Sequence, residues 1–221
     1  MSIPQIINTI LAKIPADVKL VAVSKTKPKE DIIEAYEGGY RIFGENKPQE
    51  LAQKYHELPK DIEWHFIGHL QTNKVKYIAP FVQLIHAVDS IKLLKEINRQ
   101  AEKNNRVIKC LLQFHIASEE TKFGLTIDEA KELLTSEDFN SLKSIEIVGV
   151  MGMATYTNNE VQIRNEFGNL KSIFESLKSD FFADREEFKE ISMGMSDDYM
   201  LAISEGSTMI RVGSTIFGSR Y

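Results

Sequence analysis

Lys25 is the residue whose type and setting point most directly to chemistry. It sits near the end of Leu20-Val21-Ala22-Val23-Ser24-Lys25-Thr26-Lys27-Pro28, an apolar strand followed by the proline that opens the next helix. A strand of Val and Leu this continuous is buried on both faces, as in a parallel sheet. An ammonium at its inner end is poorly solvated, which favours the neutral amine that adds to a carbonyl to form a Schiff base. The competing reading is a lysine that merely extends its head to solvent past the strand, and Lys25 alone does not decide between them. Other chemistries have less support. His65 and His69 are four apart but straddle a strand end, and His56, His86 and His115 add no ligand spacing, so no metal site is expected. His65 reads equally as a group near a ligand or as a hydrogen-bonded core residue. The chain has no Gly-x-Ser-x-Gly elbow and no Cys–His pair. Cys110, the sole cysteine, lies in the apolar run Ile108-Lys109-Cys110-Leu111-Leu112 and reads as a small core residue that forms no internal disulfide.

The elements that must position Lys25 are legible from periodicity. Strand-like runs over residues 19–23, 40–43, 62–67, 82–88, 107–116, 145–150, 188–192 and 209–212 alternate with helical segments, and one more helix over about residues 3–12 precedes them. Pro28 and Gly38-Gly39 bracket the helix after the first run, Ser90 caps another, and Thr126-Ile127-Asp128-Glu129 has the form of a capping box. The clearest helix carries Ile163, Phe167, Leu170, Phe174 and Leu177, and the run over residues 107–116 reads as the longest strand. Regular alternation implies parallel strands. Eight units predict an α/β fold, a single (β/α)8 TIM barrel over residues 1–221 with an extra N-terminal helix. An open doubly wound sheet ranks second, since no Gly-x-Gly-x-x-Gly follows the first strand.

In such a barrel chemistry gathers at the carboxyl ends of the strands, and phosphate is typically held after strands seven and eight. Those ends read Ser192-Met193-Gly194-Met195-Ser196-Asp197-Asp198 and Arg211-Val212-Gly213-Ser214-Thr215. Ser192 offers a hydroxyl, and Gly213 and Ser214 lead into a turn whose free N–H groups would face an anion. Arg211 shares a strand face with Gly213, so it points into the barrel and needs an acceptor, either a ligand's ring nitrogen or an internal carboxylate. Ser196 reads as the cap of the following helix, with Asp197 and Asp198 at the positive end of its dipole.

With 221 residues, 43% of them hydrophobic, the chain can bury one large core. Its 27 Lys and Arg against 32 Asp and Glu give a net charge of −5, and the scattered basic residues suggest neither nucleic-acid nor membrane binding. No segment is apolar enough to span a bilayer and no leader is apparent, so a soluble, reduced, cytoplasmic protein is expected.

The chain resembles the pyridoxal phosphate homeostasis protein family, whose fold is similar to the barrel domain of alanine racemase. The matching segments include Ala22-Val23-Ser24-Lys25-Thr26-Lys27-Pro28, Phe43-Gly44-Glu45-Asn46, Trp64-His65-Phe66-Ile67-Gly68 and Lys122-Phe123-Gly124. Towards the C-terminus they are Ser192-Met193-Gly194-Met195-Ser196-Asp197-Asp198 and Gly206-Ser207-Thr208-Met209-Ile210-Arg211-Val212-Gly213. The resemblance implies that Lys25 holds pyridoxal 5′-phosphate (PLP) as a Schiff base. It also implies that Ser192, Gly213 and Ser214 hold the phosphate, Arg211 faces the pyridine nitrogen and Asn46 lies near the ring. Ser214 stands where many relatives have threonine. The implied role is buffering or delivery of PLP, with PLP-dependent apoenzymes as partners, by a monomer without robust turnover. The alternatives are a PLP-dependent amino-acid racemase and a lysine-imine aldolase.

Overall fold

Eight parallel strands close into a barrel in chain order: β1 (Lys19–Val23), β2 (Ile42–Glu45), β3 (Glu63–Phe66), β4 (Leu84–Val88), β5 (Ile108–Gln113), β6 (Ile145–Met151), β7 (Glu190–Ser192) and β8 (Met209–Val212). β8 pairs with β1 to complete the ring, Lys19 opposite Met209 and Val21 opposite Arg211. This computed structural model describes residues 1–118 and 123–218. Lys122, in one of the segments that carry the resemblance, lies outside them.

Helices α1 (Ile3–Leu11), α2 (Lys29–Glu37), α3 (Pro48–Glu57), α4 (Ile91–Lys103), α5 (Ile127–Thr135), α6 (Glu137–Ser141), α7 (Glu160–Phe181), α8 (Tyr199–Ser204) and α9 (Ser214–Phe217) surround the strands, with a 3-10 helix at Thr72–Tyr77. Local chemistry explains their starts. Ser2 with Gln5 and Thr126 with Glu129 form capping boxes, and the Ser90 hydroxyl accepts the Leu93 N–H. Trp64, Phe43, Phe66 and Phe167 fill the layer between barrel and helices. A smaller apolar group, Val21, Leu84, Ala87, Leu111, Val148, Met151 and Met209, lies inside the barrel.

Several elements differ from the sequence reading. The helix expected after β3 is a 3-10 turn: of its residues only Val75 is buried, too little apolar surface to hold a longer α-helix in place. β5 stops at Gln113: the Phe114 N–H still reaches the Met151 carbonyl, but the Gln113 carbonyl and the His115 N–H turn to Leu125, and β6 is the longest strand instead. α6 has no buried residue, so it carries no periodic signal. At Gly149 the β5–β6 register shifts, and φ is +155°. A Cβ there would sit 1.9 Å from the Glu190 carbonyl oxygen, so only glycine lets β6 and β7 approach this closely.

Candidate functional site

A cavity of about 250 Å³ opens at the carboxyl-terminal mouth of the barrel. Lys25, Lys27, Ser196, Arg211, Gly213 and Ser214 are among the residues that line it. Strands β1 and β8 therefore bring together four of the six residues singled out from sequence. The other two, Ser192 and Asn46, are not on its wall.

The loop that carries Lys25 is pinned on both sides. The Ser24 N–H donates to the Gly44 carbonyl, and the Ser24 hydroxyl donates to Glu45 Oε1 at 2.6 Å. Lys54 Nζ donates to the Ser24 carbonyl and also pairs with Glu45 at 2.8 Å and Glu50 at 2.9 Å. On the other side the Thr26 N–H donates to Glu50 Oε1, and Thr26 takes φ +66°. A threonine in the left-handed region is strained, and this ring of bonds holds it there. Glu45 is fully buried, and burial raises its carboxyl pKa while Lys54 opposes the shift. Lys25 is thus a half-buried side chain on a fixed backbone.

Ser192 lies beneath the cavity, with no exposed surface. Its hydroxyl accepts from Arg211 Nη1 at 2.6 Å and lies 3.0 Å from His86 Nδ1, while His86 Nε2 lies 3.0 Å from His65 Nδ1. The barrel interior is thus threaded by a polar chain where branched aliphatic layers are usual. Burial holds both imidazoles neutral, pushing His65 down to about 3 and His86 well below the usual histidine range. Arg211 is lowered to about 10 by its own burial, with Asp198 acting against that shift. Arg211 Nη2 donates to the Gly152 carbonyl at 3.1 Å. Two of the guanidinium's five N–H donors are then used, which leaves three without a protein acceptor among the described residues.

Ser196 corrects the sequence reading. It does not cap α8: the N-cap is Asp198, whose Oδ1 accepts the Met195 N–H at 2.5 Å. The Ser196 hydroxyl instead accepts the Gly213 N–H at 3.3 Å, which carries Ser196 across to the start of α9. Within α9 the helical bonds begin with Ile216 N–H to the Gly213 carbonyl, so the N–H groups of Ser214 and Thr215 have no acceptor inside the turn. A Cβ on Gly213 would meet the Val23 carbonyl oxygen at 3.1 Å, so glycine keeps this turn against β1. In the sequence, Ser196 with two acids after it looks like a helix start. What gave it away was only the strand-seven position, where barrel loops hold anions.

The match to known proteins extends over the whole chain. A model of the alanine racemase N-terminal domain matches residues 3–221. The chain is 40% identical over 203 residues to a pyridoxal phosphate homeostasis protein of Aquifex aeolicus, covering 91% of this chain and 87% of that protein. A protein of the same name from Synechocystis sp. is 37% identical, with 98% of each chain covered. The chain belongs to the pyridoxal phosphate homeostasis protein family. The structure of PipY from Synechococcus elongatus PCC7942 with PLP bound superposes with a TM-score of 0.87 at 33% identity, covering 98% of this chain and all of that one. Alanine racemase from E. faecalis, 16% identical with a TM-score of 0.78, shares the barrel alone, and this chain spans 58% of it.

The cavity's own chemistry accommodates the ligand found in that PipY structure. Its volume lies near the lower end of small-molecule sites, roughly 300 Å³. The Lys25 amine, the Arg211 guanidinium and the Ser214 turn, whose N–H has no acceptor within α9, converge there, as a phosphorylated aldehyde requires. Asn46 sits at the end of β2 against Gly68, beside the lining residue Ile67, and its Oδ1 is buried with no partner among the described residues. A buried acceptor left unpaired costs about 1–3 kcal/mol, which a donor on a ligand would recover.

Proposed function

We propose that this chain binds PLP covalently through Lys25 and buffers or delivers it, with no robust turnover of its own. One observation carries the reading: the Lys25 amine, the donor-only Arg211 and the Gly213–Ser214 turn converge on one cavity. The names of the relatives and the PLP-bound PipY structure support it. When bound, PLP supplies an aldehyde that condenses with an amine and a pyridine ring that withdraws electrons. Lys25 Nζ is the amine for that condensation. Ser196, Ser214 and the N–H groups of Ser214 and Thr215 form the phosphate cradle, and Asn46 faces the ring. Ser192 acts on the ligand through Arg211, which it holds in place. Arg211 has only donors to offer, so it favours a ring nitrogen that carries no proton and leaves the ring a weak electron sink. That disfavours transamination; racemisation needs acid–base groups on both faces of the substrate carbon, and no residue of the sequence reads as the second of the two. The cavity is read as exchanging its ligand with PLP-dependent apoenzymes, in a cytoplasmic monomer.

Borohydride reduction of the PLP-loaded protein, followed by peptide mapping, tests the attachment: the adduct is expected on Lys25, and an adduct elsewhere overturns the reading. Two serine variants separate the parts. Ser196→Ala is expected to weaken PLP by roughly 1.5–3 kcal/mol while leaving pyridoxal, which lacks the phosphate, unaffected. Ser192→Ala is expected to weaken both ligands, because it loosens Arg211 at the ring. Titration followed by absorbance reads each case, and unchanged PLP affinity in Ser192→Ala removes Ser192 from the site.

A further inference from the structure

The opposite, amino-terminal mouth of the barrel holds a second cavity, of about 460 Å³. Leu84, Val148 and Met209, which belong to the apolar group inside the barrel, form part of its wall. His65 lines it too, and it is only 5% exposed. His65 Nδ1 is engaged by His86, whereas Nε2 has no partner among the described residues.

The chain from Arg211 determines what Nε2 presents. Arg211 can only donate, so the Ser192 oxygen accepts from it and the Ser192 hydroxyl keeps its proton to give. Ser192 is fully buried, and the acceptor in reach is His86 Nδ1 at 3.0 Å. Were His86 Nδ1 to carry a proton instead, the Ser192 hydroxyl would be buried with no acceptor, a costly arrangement. A neutral His86 then carries its proton on Nε2 and gives it to His65 Nδ1, 3.0 Å away. A neutral His65 must therefore be protonated on Nε2. The chain runs in one direction through the barrel and ends in an N–H donor at the far mouth.

Charge narrows the ligand. The positive charge of Lys19 acts on His65, and Lys19 also pairs with Glu190, whose other oxygen accepts from the Thr208 hydroxyl. Around the rim the lysines Lys19, Lys109 and Lys189 are balanced by the glutamates Glu63, Glu187 and Glu190. A multiply charged anion gains little from such a rim. A single acceptor group facing His65 and Lys19, with an apolar body against Leu84, Val148 and Met209, matches every wall.

We propose that the amino-terminal mouth of the barrel is a second binding site, for a small monocarboxylate whose carboxylate accepts the His65 Nε2–H beside Lys19. The site does not depend on PLP binding at Lys25, though the hydrogen-bonded chain joins the two mouths. Ring-nitrogen NMR of the full chain with ¹⁵N-labelled histidine tests it, with butyrate and inorganic phosphate as probes at matched ionic strength. The His65 signal is expected to report a protonated Nε2 and to move saturably with butyrate but not with phosphate. Val107→Trp blocks the cavity from its wall; Val107 is 58% exposed, so the fold tolerates the change, and the butyrate response is expected to vanish. Ser192→Ala cuts the chain and lets His65 sample both tautomers, so the butyrate dissociation constant is expected to rise about twofold, as half the molecules become competent. An unprotonated Nε2, a response to phosphate equal to that for butyrate, no saturable response, or a response that survives Val107→Trp overturns the proposal.

Discussion

Replacing Lys25 with alanine removes the visible absorbance of the protein mixed with PLP and leaves borohydride nothing to fix. The expectation rests on geometry. Lys25 lines the cavity on a loop that Ser24, Glu45, Lys54 and Glu50 hold rigid, so its amine does not have to search for the aldehyde. Arg211, Ser196 and the α9 turn are untouched by the substitution, so PLP still binds, but weakly and reversibly. Gel filtration separates the two outcomes: the unmodified chain carries PLP through the column, and Lys25→Ala elutes without it. Lys27 lines the same cavity, yet its Nζ donates to the Phe217 carbonyl at 2.7 Å, which holds it at the start of the site's outer wall. A band and a reducible adduct that persist in Lys25→Ala, mapping to Lys27, would assign the covalent role to the wrong lysine.

Unfolding free energy falls steeply once the pH drops below about 6.5. Both buried imidazoles stay neutral in the native barrel, His65 down to about 3, whereas in the unfolded chain they protonate near 6.5. Below that value the unfolded state binds more protons, so stability that is fully present above pH 6.5 is lost as the pH falls. Each histidine contributes a slope of about 1.4 kcal/mol per pH unit, and two of them over one and a half units remove about 4 kcal/mol. That is a large share of a typical native stability of about 5–15 kcal/mol. Glu45 and Asp198, whose pKa values burial raises, act in the opposite direction but closer to the carboxylate range. Urea titrations at pH 8, 6.5, 5.5 and 5 check the slope. His86→Gln, which keeps a polar group in the chain but does not titrate, is expected to halve it. A slope unchanged by that variant would place the acid sensitivity elsewhere.

The polar chain explains why acid sensitivity and ligand handling meet in the same residues. Arg211 is buried, lines the cavity and is backed by Ser192, whose hydroxyl does not titrate in this range. The histidines that support it cannot be charged without desolvation cost, so they sharpen Arg211 without competing for its role.

Much of the architecture is written locally. The β1 run, Pro28, the Ser90 cap, the Thr126–Glu129 box and the apolar stripe of α7 each depend on neighbours a few residues away, so alternation and the closed barrel could be read directly. Lys25, Arg211, Gly213 and Ser214 were legible because a parallel barrel puts the ends of its strands together wherever they fall in the chain. What the tertiary structure alone decided concerns partners far apart in sequence. Ser192 faces Arg211 and His86 rather than the cavity, Ser196 crosses to the Gly213 N–H, and Glu45 reaches outward to Lys54 while the Oδ1 of Asn46 beside it has no partner among the described residues. A side chain's type and the strand it ends specify which mouth of the barrel it occupies. Which atom it bonds is settled by burial, where every donor must find the one acceptor within about 3 Å, and no local pattern records that choice.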